Sequence, residues 1–190
     1  MTKRKNTVLD VITHRRSIYP KDYTNEEIDK ETIMDLLAAA HTAPTHKRTQ
    51  PWRFIVFRGE GKKKVADSIE AMYTESTDPE KYSDKKVEDL RSKALQSNAV
   101  IMIIIRYSGA VPAWEEVAAT GAAVQNLWLS AASHNIGGYW SSPGLIAQAK
   151  NHYTLQDNEE CLGFFYMGHH RNEPQLANRV PVEEKITWEE

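Results

Sequence analysis

The chain has 190 residues, 41% of them hydrophobic and 26% charged, with a formal net charge of -2. That composition excludes a fibrous repeat or a disordered chain and leaves enough residues for one domain with a real core. The near-neutral charge excludes nucleic acid or a membrane surface as the main partner, and a single cysteine, Cys161, excludes an internal disulfide and a thiolate metal site.

The N-terminal run MTKRKNTVLDVITHRR is basic, but Asp10 and His14 interrupt the apolar stretch of a signal peptide, so the chain is expected to stay in a reducing cytoplasm. Val8, Leu9, Val11 and Ile12 predict a short first helix that ends near Arg15, Arg16 and Ser17. Asp29 is the expected N-cap of a second helix, in which Ile33, Leu36, Leu37 and Ala40 share a face; Thr24 with Glu27 offers a cap one turn earlier. Pro44 stops that helix. Trp52 to Phe57 then reads as a strand closed by Gly59 and Gly61. Residues 62 to 97 are charged and mostly helical, with a break at STDPEKYSD that makes a candidate mobile lid.

Ala99 to Ile105 is wholly apolar yet far short of the roughly 20 residues that cross a bilayer. It predicts a central strand running to Arg106. The following segment, AWEEVAATGAAVQNLWLSAASHN, predicts a long helix in which Ala118, Ala119, Gly121, Ala122 and Ala123 leave almost no side-chain bulk. So few charges after Glu116 imply burial on most sides, and a second subunit is the expected neighbour. A turn and short strand GGYWSSPG, a modest helix from Leu145, a strand from Cys161 to Met167 and a polar tail carrying Ile186 and Trp188 complete the chain. Helices alternating with a few apolar strands predict an α+β domain whose sheet is covered on both faces.

The charges are unevenly placed. Residues 1 to 64 hold 14 of the 24 Lys and Arg against 8 of the 26 Asp and Glu, leaving 10 against 18 beyond them. A basic excess of this kind fits a small anionic ligand, and solvated lysines give the same count. No GxGxxG follows a strand, GEGKKK at Gly59 lacks the glycine and hydroxyl of a phosphate loop, and neither GxSxG nor HExxH occurs. The seven histidines are scattered, which argues against a metal site. Donors and aromatics without a nucleophile point to a reaction carried by a cofactor.

Three motifs then stand in order: HRRSI, APTHKRTQPWRFIVF and GGYWSSPG. Together they resemble the nitroreductase family of FMN-dependent NAD(P)H oxidoreductases, most of all its short subfamily, from Val8 to about Glu184. The resemblance implies one nitroreductase-like domain over residues 1–190, with a central mixed sheet flanked by helices. It implies a homodimer with FMN at the subunit interface, touched by both chains. Hydride would pass from NADH or NADPH through flavin N5 to nitroaromatics, quinones or related acceptors in a ping-pong reaction; the rival reading is an FMN-binding sensory or storage module with negligible turnover.

Residue by residue, Arg15, Arg16 and Ser17 match the family's phosphate motif, where guanidinium forks suit a terminal phosphate. The bland alternative is that the arginines complement the end of the first helix. Thr42 and His46 match positions facing the flavin, with Gln50, Pro51 and Trp52 anchoring their loop to the sheet. Trp140, Ser141 and Ser142 match the stretch beside the isoalloxazine, after two glycines that allow close backbone approach. Ser130 to Asn135 matches a region for the nicotinamide nucleotide, and also reads as an ordinary helix end. Arg179 matches a basic residue that closes on the phosphate, with Arg171 next in order. Lys47 stands where a positive charge near flavin N1 and O2 is expected, and equally reads as a solvated lysine.

Overall fold

The computed structural model describes residues 7–173 and 176–190. Its axis is β2 (Ala99–Arg106), in which every residue but Arg106 is buried. Strand β1 (Trp52–Arg58) pairs with one side of it, from Trp52 opposite Ile105 to Arg58 opposite Ala99. Strand β4 (Glu159–His169) pairs with the other side, and β3 (Ile136–Ser141) adds outside β4, giving the order β1-β2-β4-β3 with every neighbour antiparallel. Beyond β3, Ser17 bridges Gly138 in parallel, so the edge of the sheet is mixed.

The continuous apolar run of β2 follows from cover on both faces. Ala99, Ile101 and Ile103 pack into one core with Phe165 and Met167, while Val100, Met102 and Ile104 pack into a second core with Phe164 and Tyr166. This is the two-residue alternation of a strand, made invisible in sequence because neither face is wet. The first core is roofed by α2 (Lys30–His41) and α5 (Ala113–Ser133), the second by α3 (Gly61–Ser76) and α4 (Asp84–Gln96).

Local chemistry sets the helix ends. The Asp29 carboxylate accepts from the Thr32 amide at 2.7 Å, so α2 begins at Lys30 and the Thr24 with Glu27 alternative is unused. Thr24 instead gives its amide to His169 O. The break between α3 and α4 is a 3-10 turn, Pro79–Lys81, capped by Asp78. It leans on its own hairpin through the Tyr73 and Tyr82 rings, 5.4 Å apart, and lines neither of the two larger hollows. The helix expected from Leu145 is mostly a 3-10 turn, Gly144–Gln148, before the short α6 (Ala149–His152).

Strand β4 begins two residues before the apolar signal. Its Glu159 side chain is fully buried yet paired, accepting from Arg53 at 2.8 Å, from Arg106 at 2.7 and 2.9 Å, and from the Gln156 amide at 3.0 Å. Arg53 above all holds its carboxyl down to about 2. A buried carboxylate survives only with partners of this kind.

Helix α5 is covered on one side alone within this chain. One face is buried, through Ala119, Thr120, Ala123, Val124, Leu127 and Ala131. The other is open: Trp114 is 70% exposed, Val117 43%, and no atom lies within 4 Å of where a Gly121 Cβ would be. The absence of charge on that face has no explanation within this chain.

Candidate functional site

The site begins with α1 (Val8–His14), started by a reciprocal Thr7 and Asp10 capping box and closed by the Arg15 amide on Val11 O at 2.9 Å. Past that end the two arginines diverge. Arg16 turns back, its guanidinium donating to Thr13 O at 2.8 Å and to Arg15 O. Two of its nitrogens thus serve carbonyls at the end of α1, while its Nε is buried without a partner and the residue still borders the hollow described below. Arg15 goes the other way. Its guanidinium carbon lies 4.2 Å from the ring centre of Trp128 on α5, and its Nη1 is buried without a hydrogen-bond partner.

The chain then runs along β3, with the Ile18 amide on Gly138 O at 3.2 Å. This contact needs both glycines of β3. A Cβ on Gly137 would lie 2.7 Å from Ile18 Cβ, and one on Gly138 would lie 2.5 Å from Phe165 Cζ. The close approach expected at these glycines is made by the protein's own side chains.

A hollow of about 610 Å³ opens here, bordered by Arg15, Arg16, Ser17, Trp128, Asn135 and His170. Burial lowers the Arg15 pKa, and the charges of Arg16 and Arg179 lower it further. Arg179, itself exposed, is thus close enough for its charge to be felt at Arg15. Burial also pushes His170 down, so it stays neutral at pH 7.

The other expected site residues fall elsewhere. A second hollow, also of about 610 Å³, is bordered by Trp140, Ser142, Val117 and Leu162 near the opposite end of β3. Trp140 Nε1 is taken up by Leu162 O at 2.8 Å, and Ser141 closes β3 beside that hollow. Thr42 ends α2, its hydroxyl donating to Ala39 O at 2.8 Å. His46 Nδ1 lies 2.5 Å from Glu115 Oε2, at the start of α5. Neither borders either of these two hollows.

The turn carrying His46 runs through left-handed backbone. Lys47, Arg48 and Gln50 have φ of 49°, 56° and 46°, a region that costs a residue with a side chain on the order of 1 to 2 kcal/mol. The Gln50 amide on Thr45 Oγ1 and Lys47 Nζ on Ala110 O hold it, and Trp52 Nε1 ties the strand that follows to His41. Pro51 anchors it too, its carbonyl accepting from the Arg106 amide at 2.7 Å.

Sequence reasoning passes over Trp128, because an aromatic in an apolar helix reads as core. Its signal is position: it follows the small-residue run, where bulk is otherwise withheld. Among the described residues no group of three His, Cys, Asp or Glu is placed to hold a metal, and no helix is long and apolar enough to cross a membrane.

An α+β sheet protein with Arg15 and Arg16 bordering one hollow has cationic donors of the kind an anionic cofactor needs. The model of the nitroreductase family matches residues 12–169. Over 181 residues the chain is 27% identical to the Bacillus subtilis protein named "Putative NAD(P)H nitroreductase YfhC", covering 94% of this chain and 92% of that one. Among solved structures, a nitroreductase-like family protein from Bacillus cereus superposes with a TM-score of 0.86 at 27% identity over the whole of both chains. A protein from Desulfovibrio desulfuricans solved in complex with FMN superposes with a TM-score of 0.72 at 25% identity over 98% of each chain. The chain belongs to the nitroreductase family, the FMN-dependent NAD(P)H oxidoreductases, and is an enzyme of that type.

The residues fit FMN at its phosphate end. A dianionic phosphate in this hollow would find Arg15, Arg16 and Ser17 along its border, with the charge of Arg179 felt at Arg15.

Proposed function

We propose that the chain is the subunit of a homodimeric FMN enzyme that takes hydride from NADH or NADPH and passes the electrons to nitroaromatic, quinone or related small acceptors. The observation that carries this reading is Arg15 at the border of the hollow, with no carboxylate partner among the described salt bridges and with the like charges of Arg16 and Arg179 opposing its own. An anion there would take up guanidinium donors that no carboxylate occupies and would relieve the repulsion together.

When bound, FMN supplies the hydride chemistry, first as acceptor and then as donor. The chain's own part is to bind, orient and exclude water. Arg15, Arg16, Ser17 and Arg179 would hold the phosphate, and Trp140, Ser141 and Ser142 would border the ring at the far end of β3. Donor and acceptor would use one slot in turn, with no side chain needed as acid or base.

Two features support a site completed by a second copy. His46 contacts Glu115 while Arg15 lies on Trp128, 13 residues further along α5, or about 20 Å of helix axis. The open face of α5, with Trp114, Val117 and Gly121, is uncharged and covers nothing in this chain. Thr42 and His46 would then serve the cofactor of the second copy.

The test is to mix the FMN-loaded protein with NADPH or NADH without oxygen. The flavin absorbance is expected to bleach within seconds and to return on adding a quinone or nitroaromatic. A flavin that never responds to either nicotinamide rejects the assignment.

A further inference from the structure

We propose that Trp128 is a positioning residue of the cofactor site: its indole face holds the Arg15 guanidinium at the border of the hollow that would take the FMN phosphate. The inference rests on the reading that Arg15 binds that phosphate.

Three observations carry it. The guanidinium lies 4.2 Å from the ring centre, within the range at which the negative face of an indole attracts a cation. The indole is fixed in turn: Phe165, fully buried on β4, meets it edge-on with ring centres 5.4 Å apart and planes at 79°. A line of contacts thus runs from the sheet through α5 to the arginine, with Gly138 making the room in which Phe165 stands. Thirdly, Arg15 has no carboxylate partner among the described salt bridges, and its charged neighbours Arg16 and Arg179 repel it. An arginine placed among like charges needs a neutral attraction to keep it from swinging into solvent, and the ring supplies one without competing for its donors. A carboxylate would hold Arg15 more strongly and would occupy the nitrogens the phosphate needs.

The roles separate by chemistry. Trp128→Phe keeps a ring, and so most of the attraction; Trp128→Leu keeps bulk and removes the π face. Binding of FMN and of riboflavin, which lacks the phosphate, is measured by flavin fluorescence on apoprotein of wild type, both variants, Arg15→Ala, and the double variant Arg15→Ala with Trp128→Leu. Trp128→Leu is expected to weaken FMN about 3- to 30-fold and leave riboflavin unchanged, with Phe restoring most of the loss. In the double variant the leucine should add little to the loss from Arg15→Ala, because the two act through one contact.

Three outcomes overturn the proposal. If Trp128→Leu keeps wild-type FMN affinity, the indole positions nothing. If it weakens FMN and riboflavin alike, or adds in full to Arg15→Ala, Trp128 acts on the fold or directly on the ligand instead. If Arg15→Ala itself leaves FMN affinity intact, the phosphate reading fails first and this inference with it.

Discussion

Replacing Arg15 by alanine should separate binding from stability in an unusual direction. The guanidinium contributes to a phosphate through a charge-assisted hydrogen bond worth about 1.5 to 3 kcal/mol, so Arg15→Ala should weaken FMN roughly ten- to a hundred-fold. Within the protein alone the same side chain gives little. Its Nη1 is buried without a partner, and two neighbouring guanidinium charges oppose its own. Against these costs stands the Trp128 contact, about 0.5 to 2 kcal/mol. The opposing effects are of similar size, so the melting temperature of the apoprotein should move by no more than a few degrees either way. Calorimetry of FMN binding and a thermal melt with and without FMN read both quantities on one preparation. The variant should melt like wild type alone and gain clearly less from FMN, since ligand stabilisation follows affinity. Riboflavin should bind both proteins about equally. A large loss of apoprotein stability, or an unchanged FMN affinity, would return Arg15 to a structural role and leave the phosphate to Arg16 or Arg179.

Gly121→Arg places a charge where nothing in the chain lies within 4 Å, so the monomer should fold while the dimer is lost. Light scattering should then give 21.7 kDa in place of twice that mass, and a surviving dimer puts the interface elsewhere. Glu159, whose folded pKa of about 2 lies below its ordinary 4.5, contributes stability that is present above pH 4.5 and is lost as pH falls through about 2. Glu159→Gln should therefore be destabilised by about 1 to 3 kcal/mol at pH 7, with the gap in melting temperature closing as pH falls; a constant gap contradicts the assignment. Gly137→Ala drives a Cβ to within 2.7 Å of Ile18 and 2.8 Å of the His170 ring. It should cost about 1 to 3 kcal/mol and weaken FMN by displacing the Ser17 segment; wild-type melting and affinity would show that the segment yields freely.

Much of this was legible in the residues, for reasons that can be named. The apolar run of β2, the Asp29 cap and the proline stops act locally, and each element they predict lies where expected within a residue or two. Glu159 was not legible, since only Arg53, more than 100 positions away, and Arg106 make its burial tolerable. The first helix hid a division of labour: HRRSI gives two adjacent arginines, and nothing local tells that Arg16 folds back on α1 while Arg15 crosses to Trp128. The left-handed Lys47, Arg48 and Gln50 were hidden because no glycine marks them. The glycines of β3 were seen as making room, but what fills the room depends on Ile18 and Phe165, set by strand pairing.

The central claim is that the arginine hollow is the phosphate end of an FMN site shared between two copies of the chain. A crystal structure of the protein reconstituted with FMN tests it most directly. The account predicts phosphate oxygens within hydrogen-bond distance of the Arg15 guanidinium, the ring toward Ser141 and Ser142, and Thr42 and His46 from a second copy against it. A phosphate bound away from Arg15, or a cofactor enclosed by one chain alone, would contradict it.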